Sequence, residues 1–377
     1  MLPHAIPLLL ILLVSTLRRD APPAIAWGKA VLINDVPQFS DAGKVYHADG
    51  TWNREHGKYG SEYGRMVKLA NNDWLAAYTV SRNNGYLYDP KGGLQLQVSK
   101  STDNGRSWTV ISTITDPGRD LDNAQLIQLP DGSILLGCRS VRWQESYRLP
   151  VYRSTDNGAR WSKVSTIDAN EGTPGSLGKP DKGMYEPHFY PLDNGKLAVM
   201  YANEKHVTAQ PSYSQIIAQK VSDDQGVTWG SEIWVAYEPG HHASRPGMPV
   251  WTKMKNGRYI VVYEICGPEK CNVYYKTSPD GITWPVGLGT QIPDQLGGPY
   301  ILSLTDGRLV ITSNSSNVSV STDYGQSWQK TTAAWPTSLW ASLYQTGPNE
   351  IGALNSARRT NGGHNVQLKF GEIEPAP

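Results

Sequence analysis

The sequence is short of cysteine, of phenylalanine and of net charge. Three cysteines in 377 residues exclude a disulfide scaffold, which needs several bridges in a short chain. No Cys/His spacing resembles a zinc site, and the adjacent pair His241-His242 has no ligand partners at coordinating spacing, so neither a metal nor a cofactor is expected. A formal net charge of +1 gives no electrostatic reason to expect a nucleic-acid partner. Sustained helical periodicity is absent, which argues against a helical architecture. Three Phe stand against 13 Trp and 20 Tyr, a set suited to stacking on sugars as well as to core packing.

One apolar run stands out. Pro7 to Leu17 is too short to cross a bilayer. It is followed by Arg18-Arg19, where a dibasic protease would cut, and by Ala24-Ile25-Ala26, which has the form of a signal-peptidase site. Residues 1–26 are therefore expected to be a signal peptide or pro-segment, removed at one of these two places, and residues 27–377 a single domain. The expected product is secreted, soluble, monomeric and free of the membrane. Cys266 and Cys271, separated by four residues, are a disulfide candidate within one loop, and Cys138 lies in an apolar strand. Asn314 and Asn317 begin N-glycosylation sequons.

What the chain has in abundance is repetition. Ser101-Thr102-Asp103-Asn104-Gly105-Arg106-Ser107-Trp108 returns at Ser154–Trp161, at Ser222–Trp229 and at Ser321–Trp328, with a degenerate copy at Thr277–Trp284. The Asp can accept bonds from nearby backbone, the Gly supplies positive φ, and the Trp packs beneath the turn. Five copies at this spacing indicate a propeller or a solenoid. Between them runs a second repeat of apolar strand, Asx-Gly-type turn and apolar strand. Its turns fall at Asn71–Asp73, Pro130–Gly132, Asp193–Gly195, Lys255–Gly257, Thr305–Gly307 and Gly347–Asn349. Six such hairpins, five of them followed by the boxed turn, predict an all-β, six-bladed propeller. A lone strand at Ala30–Asn34 is expected to pair with Asn365–Ile373 and close the ring.

In such a ring the first strand of each blade lines the axis, so strand starts and the ends of second strands should reach one mouth. Two carboxylates meet that condition on adjacent blades. Glu186 lies in Met184-Tyr185-Glu186-Pro187-His188, and Glu264 ends Ile260-Val261-Val262-Tyr263. Paired carboxylates are the minimum for glycoside hydrolysis. Tyr63, Arg65, Asn123, His188, Arg245, Tyr300 and Trp340 stand near inner-strand starts and are substrate-binding candidates, with Arg139 and Arg358 as weaker ones.

The eight-residue turns are those of the Asp box, a mark of sialidase-type propellers whose role is structural. Together with Tyr-Glu-Pro in the third blade and Val-Val-Tyr-Glu in the fourth, the chain resembles the exo-1,5-α-L-arabinanases of glycoside hydrolase family 93 from about Trp27 onward. The resemblance implies a secreted, retaining enzyme that releases arabinobiose from linear α-1,5-arabinan, a pectin side chain. It implies Glu186 as acid/base, Glu264 as nucleophile and a catalytic-centre tyrosine, for which Tyr344 is the candidate. Two other readings compete. A sialidase would need an Arg clamp, and Arg65-Met66-Val67 departs from the expected Arg-Ile-Pro, while Asp89 is the available acid. A non-catalytic sugar-binding propeller would turn Glu186 and Glu264 toward different surfaces.

Overall fold

The computed structural model describes residues 24–36, 45–46, 52–53, 60–81, 86, 92–239, 243–358 and 363–375. The expected leader, Asp89 and the pair His241-His242 lie outside them. Six four-stranded antiparallel sheets make six blades. From the axis outward, blade one is Ser61–Lys68, Trp74–Ser81, Leu94–Ser101 and Thr109–Ile114, and blade two is Asp120–Gln128, Ile134–Arg142, Ser146–Ser154 and Ser162–Glu171. Blade three is Met184–Pro191, Leu197–Asn203, Ile216–Ser222 and Ile233–Ala236, and blade four is Arg245–Lys253, Tyr259–Cys266, Lys270–Ser278 and Thr290–Leu296. Blade five is Tyr300–Ser303, Leu309–Thr312, Val318–Ser321 and Gln329–Thr331. Blade six combines Ser342–Gly347, Glu350–Arg358 and His364–Ile373 with the N-terminal strand Ile25–Leu32. Among the described residues the one helical element is a single turn, Lys205–Thr208.

The ring closes through the two ends of the chain, as expected, but the first strand begins five residues earlier than the sequence suggests. Ile25 pairs with Ile373 and Leu32 with Gln367, with a break in register between Trp27 and Ala30. Ile25 is 1% exposed, so it belongs to the core. That places the start of the propeller ahead of Trp27.

The boxed turns join third to fourth strands in blades one to five. In the first, the Ser101 hydroxyl donates to Asp103 and accepts the Gly105 N–H, both at 2.8 Å. Asp103 also accepts the Ser107 N–H and hydroxyl, and these bonds hold its pKa down at about 2. Gly105 has φ +84°, a region an L side chain rarely adopts. The Trp108 indole donates to the Gly105 carbonyl at 3.0 Å. The degenerate copy makes the same Ser278–Asp280–Thr283 network. These turns sit at the outer strands, and their aspartates take no part in the axial site.

The second strands are almost wholly buried. Trp74–Ser81 and Leu197–Asn203 have no exposed position, which follows from sandwiching between neighbouring blades. Buried Val, Ile, Leu and aromatic side chains fill the space between blades. Burial of this kind supplies most of the favourable free energy, at roughly 25 cal/mol per Å².

Candidate active site

Each inner strand carries the same backbone device at its start. Tyr63, Asn123, Glu186, Met248 and Trp340 have φ between +50° and +61°, and Gly298 holds the equivalent place at +47°. Each lies nine residues before the tip of its blade's hairpin, at Asn72, Gly132, Gly195, Gly257, Gly307 and Asn349. In blades one to four the ladder loses register at this point, between Glu62 and Arg65, Asp122 and Gln125, Tyr185 and His188, and Gly247 and Val250. These are β-bulges, which re-aim a side chain and are common beside functional sites. Six residues of quite different type thus share one backbone conformation at equivalent places around the ring.

Two of these positions hold the carboxylate pair. The Glu186 carboxylate accepts the Met248 N–H, from the bulge of the next blade, at 2.7 Å. Glu264, opposite Gly247 in the ladder, accepts the N–H of Gly298, at the equivalent place of blade five, at 2.6 Å. Gly247 lies between the two acids. A Cβ there would stand 3.6 Å from one Glu264 oxygen and 3.9 Å from a Glu186 oxygen, and only 2.7 Å from the Gln215 amide. The space between the carboxylates therefore depends on glycine at 247, and those two oxygens are separated by no more than the sum of the first two distances.

The pair lines a cavity of about 320 Å³ whose other walls are Arg139, Trp143, Asp181, Tyr185, Glu204, Gln215, Arg245 and Cys266. The two acids sit in unlike surroundings. Burial, reinforced by the Glu264 charge, pushes Glu186 up to about 8. Burial also raises Glu264, but the Gly298 N–H and the Arg245 charge oppose it. Arg245 is bonded to Glu204 and, at 2.9 Å, to Gln215. Glu204 is 1% exposed and also accepts the Gly183 N–H and the Tyr185 hydroxyl. Arg139 is bonded to Asp122 at 3.0 Å and lies over the Trp143 and Tyr185 rings.

The sequence candidates divide by depth along the axis. Tyr63 and Trp340 occupy the mouth ring, with ring centroids 5.9 Å apart, and Asn123 shares it. Arg65 lies two residues past its bulge, donates to the carbonyls of Gly64 and Trp340, and covers the Tyr63 ring at 4.0 Å. His188 and Tyr300, also two past their bulges, are buried in the channel with their rings 6.1 Å apart. Both ring nitrogens of His188 lack hydrogen-bond partners, and burial with the nearby Arg65 charge lowers its pKa to about 3.

Tyr344 requires a correction. It lies four residues past its bulge, in a ring with Val67, Ile127, Tyr190, Thr252 and Leu302 that lines a separate cavity of about 790 Å³. Alternation along a strand returns the side chain to the axis at each second residue, but lower each time. Its hydroxyl accepts the Met66 N–H at 2.8 Å. Tyr344 is a channel residue, away from the carboxylates, and His188 and Tyr300 line this lower cavity too. The tyrosine of the carboxylate pocket is Tyr185. Arg358 is exposed at the end of its strand and lines neither cavity.

Cys266 and Cys271 are bridged, as expected, and Cys138 is a buried free thiol. Among the described residues the cluster close enough to share a metal ion is Glu264 with these two cysteines, and the cysteines are joined to each other. Asn314, read as a glycosylation acceptor, is turned inward instead. Its side-chain oxygen accepts the Trp340 N–H at 2.7 Å, and its amide nitrogen packs on Gly297 and Gly298. The Asn317 amide donates to the Asp294 carbonyl at 2.8 Å.

Asn314 and Glu204 were the missed residues, together with Asp122. Glu204 and Asn314 lie just past the ends of second strands and Glu264 just inside one, so the placement that singled out Glu264 applies to them as well.

Residues 49–230 match the BNR repeat-like domain family. No curated protein matches the chain by sequence. Among solved structures, the family 93 α-L-arabinofuranosidase of Fusarium graminearum, in complex with arabinobiose, is similar at 21% identity and a TM-score of 0.74, over 92% of this chain and 98% of that one. The α-L-arabinanase of Penicillium chrysogenum, also complexed with arabinobiose, is similar at 20% identity and a TM-score of 0.72, with the same coverage. The NanB sialidase of Streptococcus pneumoniae is more distant, at 11% identity and a TM-score of 0.59, over 83% of this chain and 69% of that one. Likeness at these identities establishes a shared six-bladed fold.

Proposed function

We propose that this chain is a retaining exo-glycosidase that releases arabinobiose from the non-reducing end of linear α-1,5-arabinan. The observation that carries the reading is the meeting of Glu186 and Glu264, from adjacent blades, in one cavity and in unlike electrostatic surroundings. A sugar-binding propeller has no need of two carboxylates raised by mutual burial. Arabinobiose in the fold relatives from Fusarium and Penicillium supports the substrate class.

The chemistry follows from the protonation states. Glu264, whose anion burial disfavours but the Gly298 N–H and the Arg245 charge support, attacks the anomeric carbon. Glu186 is protonated below about pH 8 and gives its proton to the departing glycosidic oxygen as the carbon–oxygen bond breaks. The result is a glycosyl ester on Glu264. Glu186, now a carboxylate, takes a proton from water as that water attacks the ester, and the configuration is retained. Both arginines of the cavity already hold carboxylates, Arg139 with Asp122 and Arg245 with Glu204. That pairing suits a neutral sugar better than the carboxylate of a sialoside.

A general acid must hold its proton, so kcat/KM on linear arabinan should fall as pH rises through about 8, the Glu186 value. The alkaline limb should vanish in Glu186→Gln, whose residual activity is flat there. The same assay should show release of arabinobiose and no cleavage of a sialoside. Sialic acid release without arabinan cleavage would replace this reading with the sialidase one.

We also propose that the protein is secreted, with its leader removed ahead of Ile25. Ile25 is buried and paired with Ile373, so a cut after Ala26 would strip a core residue from the closing strand. N-terminal sequencing of protein from culture medium should give a first residue between Asp20 and Ile25. A mature chain that starts at Trp27 would refute the placement.

A further inference from the structure

The bridge Cys266–Cys271 stands beside the carboxylate pair, and its position relative to Glu264 is close. Glu264 and Cys266 are two apart on one strand, so their side chains share a face. A Glu264 oxygen and the two sulfurs all lie within 4.8 Å of one another, and Cys266 forms part of the cavity wall. The hairpin that the bridge spans is irregular. Its register slips between Ile265 and Cys266, Gly267 has φ +100° and Cys271 has φ +59°. A non-glycine residue at such an angle is held there by its surroundings.

The backbone of Cys271 has a second task. Its carbonyl accepts the Gly297 N–H at 2.8 Å. The next N–H, that of Gly298, is the one Glu264 accepts at 2.6 Å. The Gly297 carbonyl in turn accepts the Asn314 N–H at 2.8 Å, and Asn314 holds the Trp340 N–H. A continuous set of bonds therefore runs from the bridge to the hydrogen-bond donor of Glu264 and on to the aromatic mouth of blade six.

We infer that the Cys266–Cys271 bridge is a positioning element for Glu264: it fixes the Cys271 carbonyl, which fixes the Gly297-Gly298 turn, which aims the Gly298 N–H at the carboxylate. The role of Glu264 as nucleophile rests on the function proposed above; the positioning itself does not. Opening the bridge by thiol–disulfide exchange with a dithiol reductant, which is oxidised as Cys266 and Cys271 become thiols, leaves Cys271 free to relax from its left-handed conformation. The Gly298 donor is then lost or lengthened. The charged groups that face Glu264 are Arg245 and Glu186, with Arg139, Glu204 and Asp181 elsewhere on the cavity wall, and none of them is altered by the change.

The test compares Cys266→Ser/Cys271→Ser with the wild type by carboxyl ¹³C NMR titration, the Glu264 resonance being assigned through Glu264→Gln. The Glu264 titration should move upward by about one pH unit, the scale of a single hydrogen bond to a carboxylate. The acidic limb of kcat/KM should move with it, giving roughly a tenfold loss at pH values below the limb. If the double variant does not fold, wild-type protein reduced with dithiothreitol is titrated in its place. A Glu264 titration that stays put overturns the inference, even if the melting temperature falls, because a purely structural bridge would lower only the latter. A moved titration in a protein that does not cleave arabinan would sustain the positioning and sink the proposed reaction.

Discussion

Alanine at Glu264 should reduce arabinan turnover by far more than tenfold, and azide should restore turnover with inversion of configuration. The side chain removed is the nucleophile, so a small anion that fills its place attacks the same face once and leaves a β-configured azide. Alanine at Glu186 should behave differently. Loss of a general acid is worth about 10²–10⁴-fold on a poor leaving group, but activated aryl arabinosides need little protonation and should form the glycosyl-enzyme readily. Azide should then attack that intermediate and give retained configuration. Product analysis by NMR distinguishes the two. If the stereochemistries come out exchanged, the pair is catalytic and the two roles are reversed. Near-wild-type turnover in both variants would make the carboxylates structural. The unequal environments argue for the assignment given. Glu186 is pushed up to about 8 by burial and by the charge on its neighbour, while Glu264, also raised by burial, has a short N–H bond and a nearby guanidinium that oppose the rise.

What could be read from the sequence, and what could not, follows the difference between local and non-local causes. Each boxed turn is a self-contained network within eight residues, such as Ser101, Asp103, Gly105 and Ser107, so its sequence is its structure. The hairpin turns are equally local, and together they set the number of blades. Glu264 was visible because a carboxylate that ends an apolar strand needs a reason to be there, and Glu186 because it starts the inner strand of the adjacent blade at the matching mouth. The bulge ring was not visible. Its members are Tyr63, Asn123, Glu186, Met248, Gly298 and Trp340, and only Gly298 and Asn123 are residue types that favour positive φ. The others are held there by neighbouring blades, as the Met248 N–H is by Glu186. Depth along the axis was hidden for the same reason. Tyr344 and Trp340 belong to one strand start in sequence, yet one opens on the mouth and the other on the lower channel. The closing strand was misplaced because the bulge between Trp27 and Ala30 breaks the alternation that would have marked it, and because Ala24-Ile25-Ala26 also resembles a cleavage site.

Asparagine at Asp122 should weaken the protein and shift its pH profile together, since Asp122 ties the buried second strand of blade one to the active-site charges. It accepts the Thr79 hydroxyl at 2.5 Å, the Asn123 N–H at 2.7 Å and the Arg139 guanidinium at 3.0 Å. Both members of the ion pair are buried, at 4% and 9% side-chain exposure. Breaking such a pair from one side strands the other charge, which costs about 3–5 kcal/mol. Unfolding by urea should therefore show a loss of that order for Asp122→Asn, and a smaller one for the double variant Asp122→Asn/Arg139→Gln, where no charge is left behind. The pH effect has a definite sign. Asp122 raises Glu186 and Arg139 lowers it, so neutralising Asp122 removes one upward influence and leaves Arg139 uncompensated beside the acid. Both changes lower the Glu186 pKa. The alkaline limb of kcat/KM should thus move from about pH 8 toward neutrality in Asp122→Asn, leaving a narrower window in which the acid is protonated while Glu264 is ionised. In the double variant, the limb should return upward. An alkaline limb that stays near pH 8 in Asp122→Asn would mean that the limb does not report Glu186, and the assignment of that residue as the proton donor would fall with it.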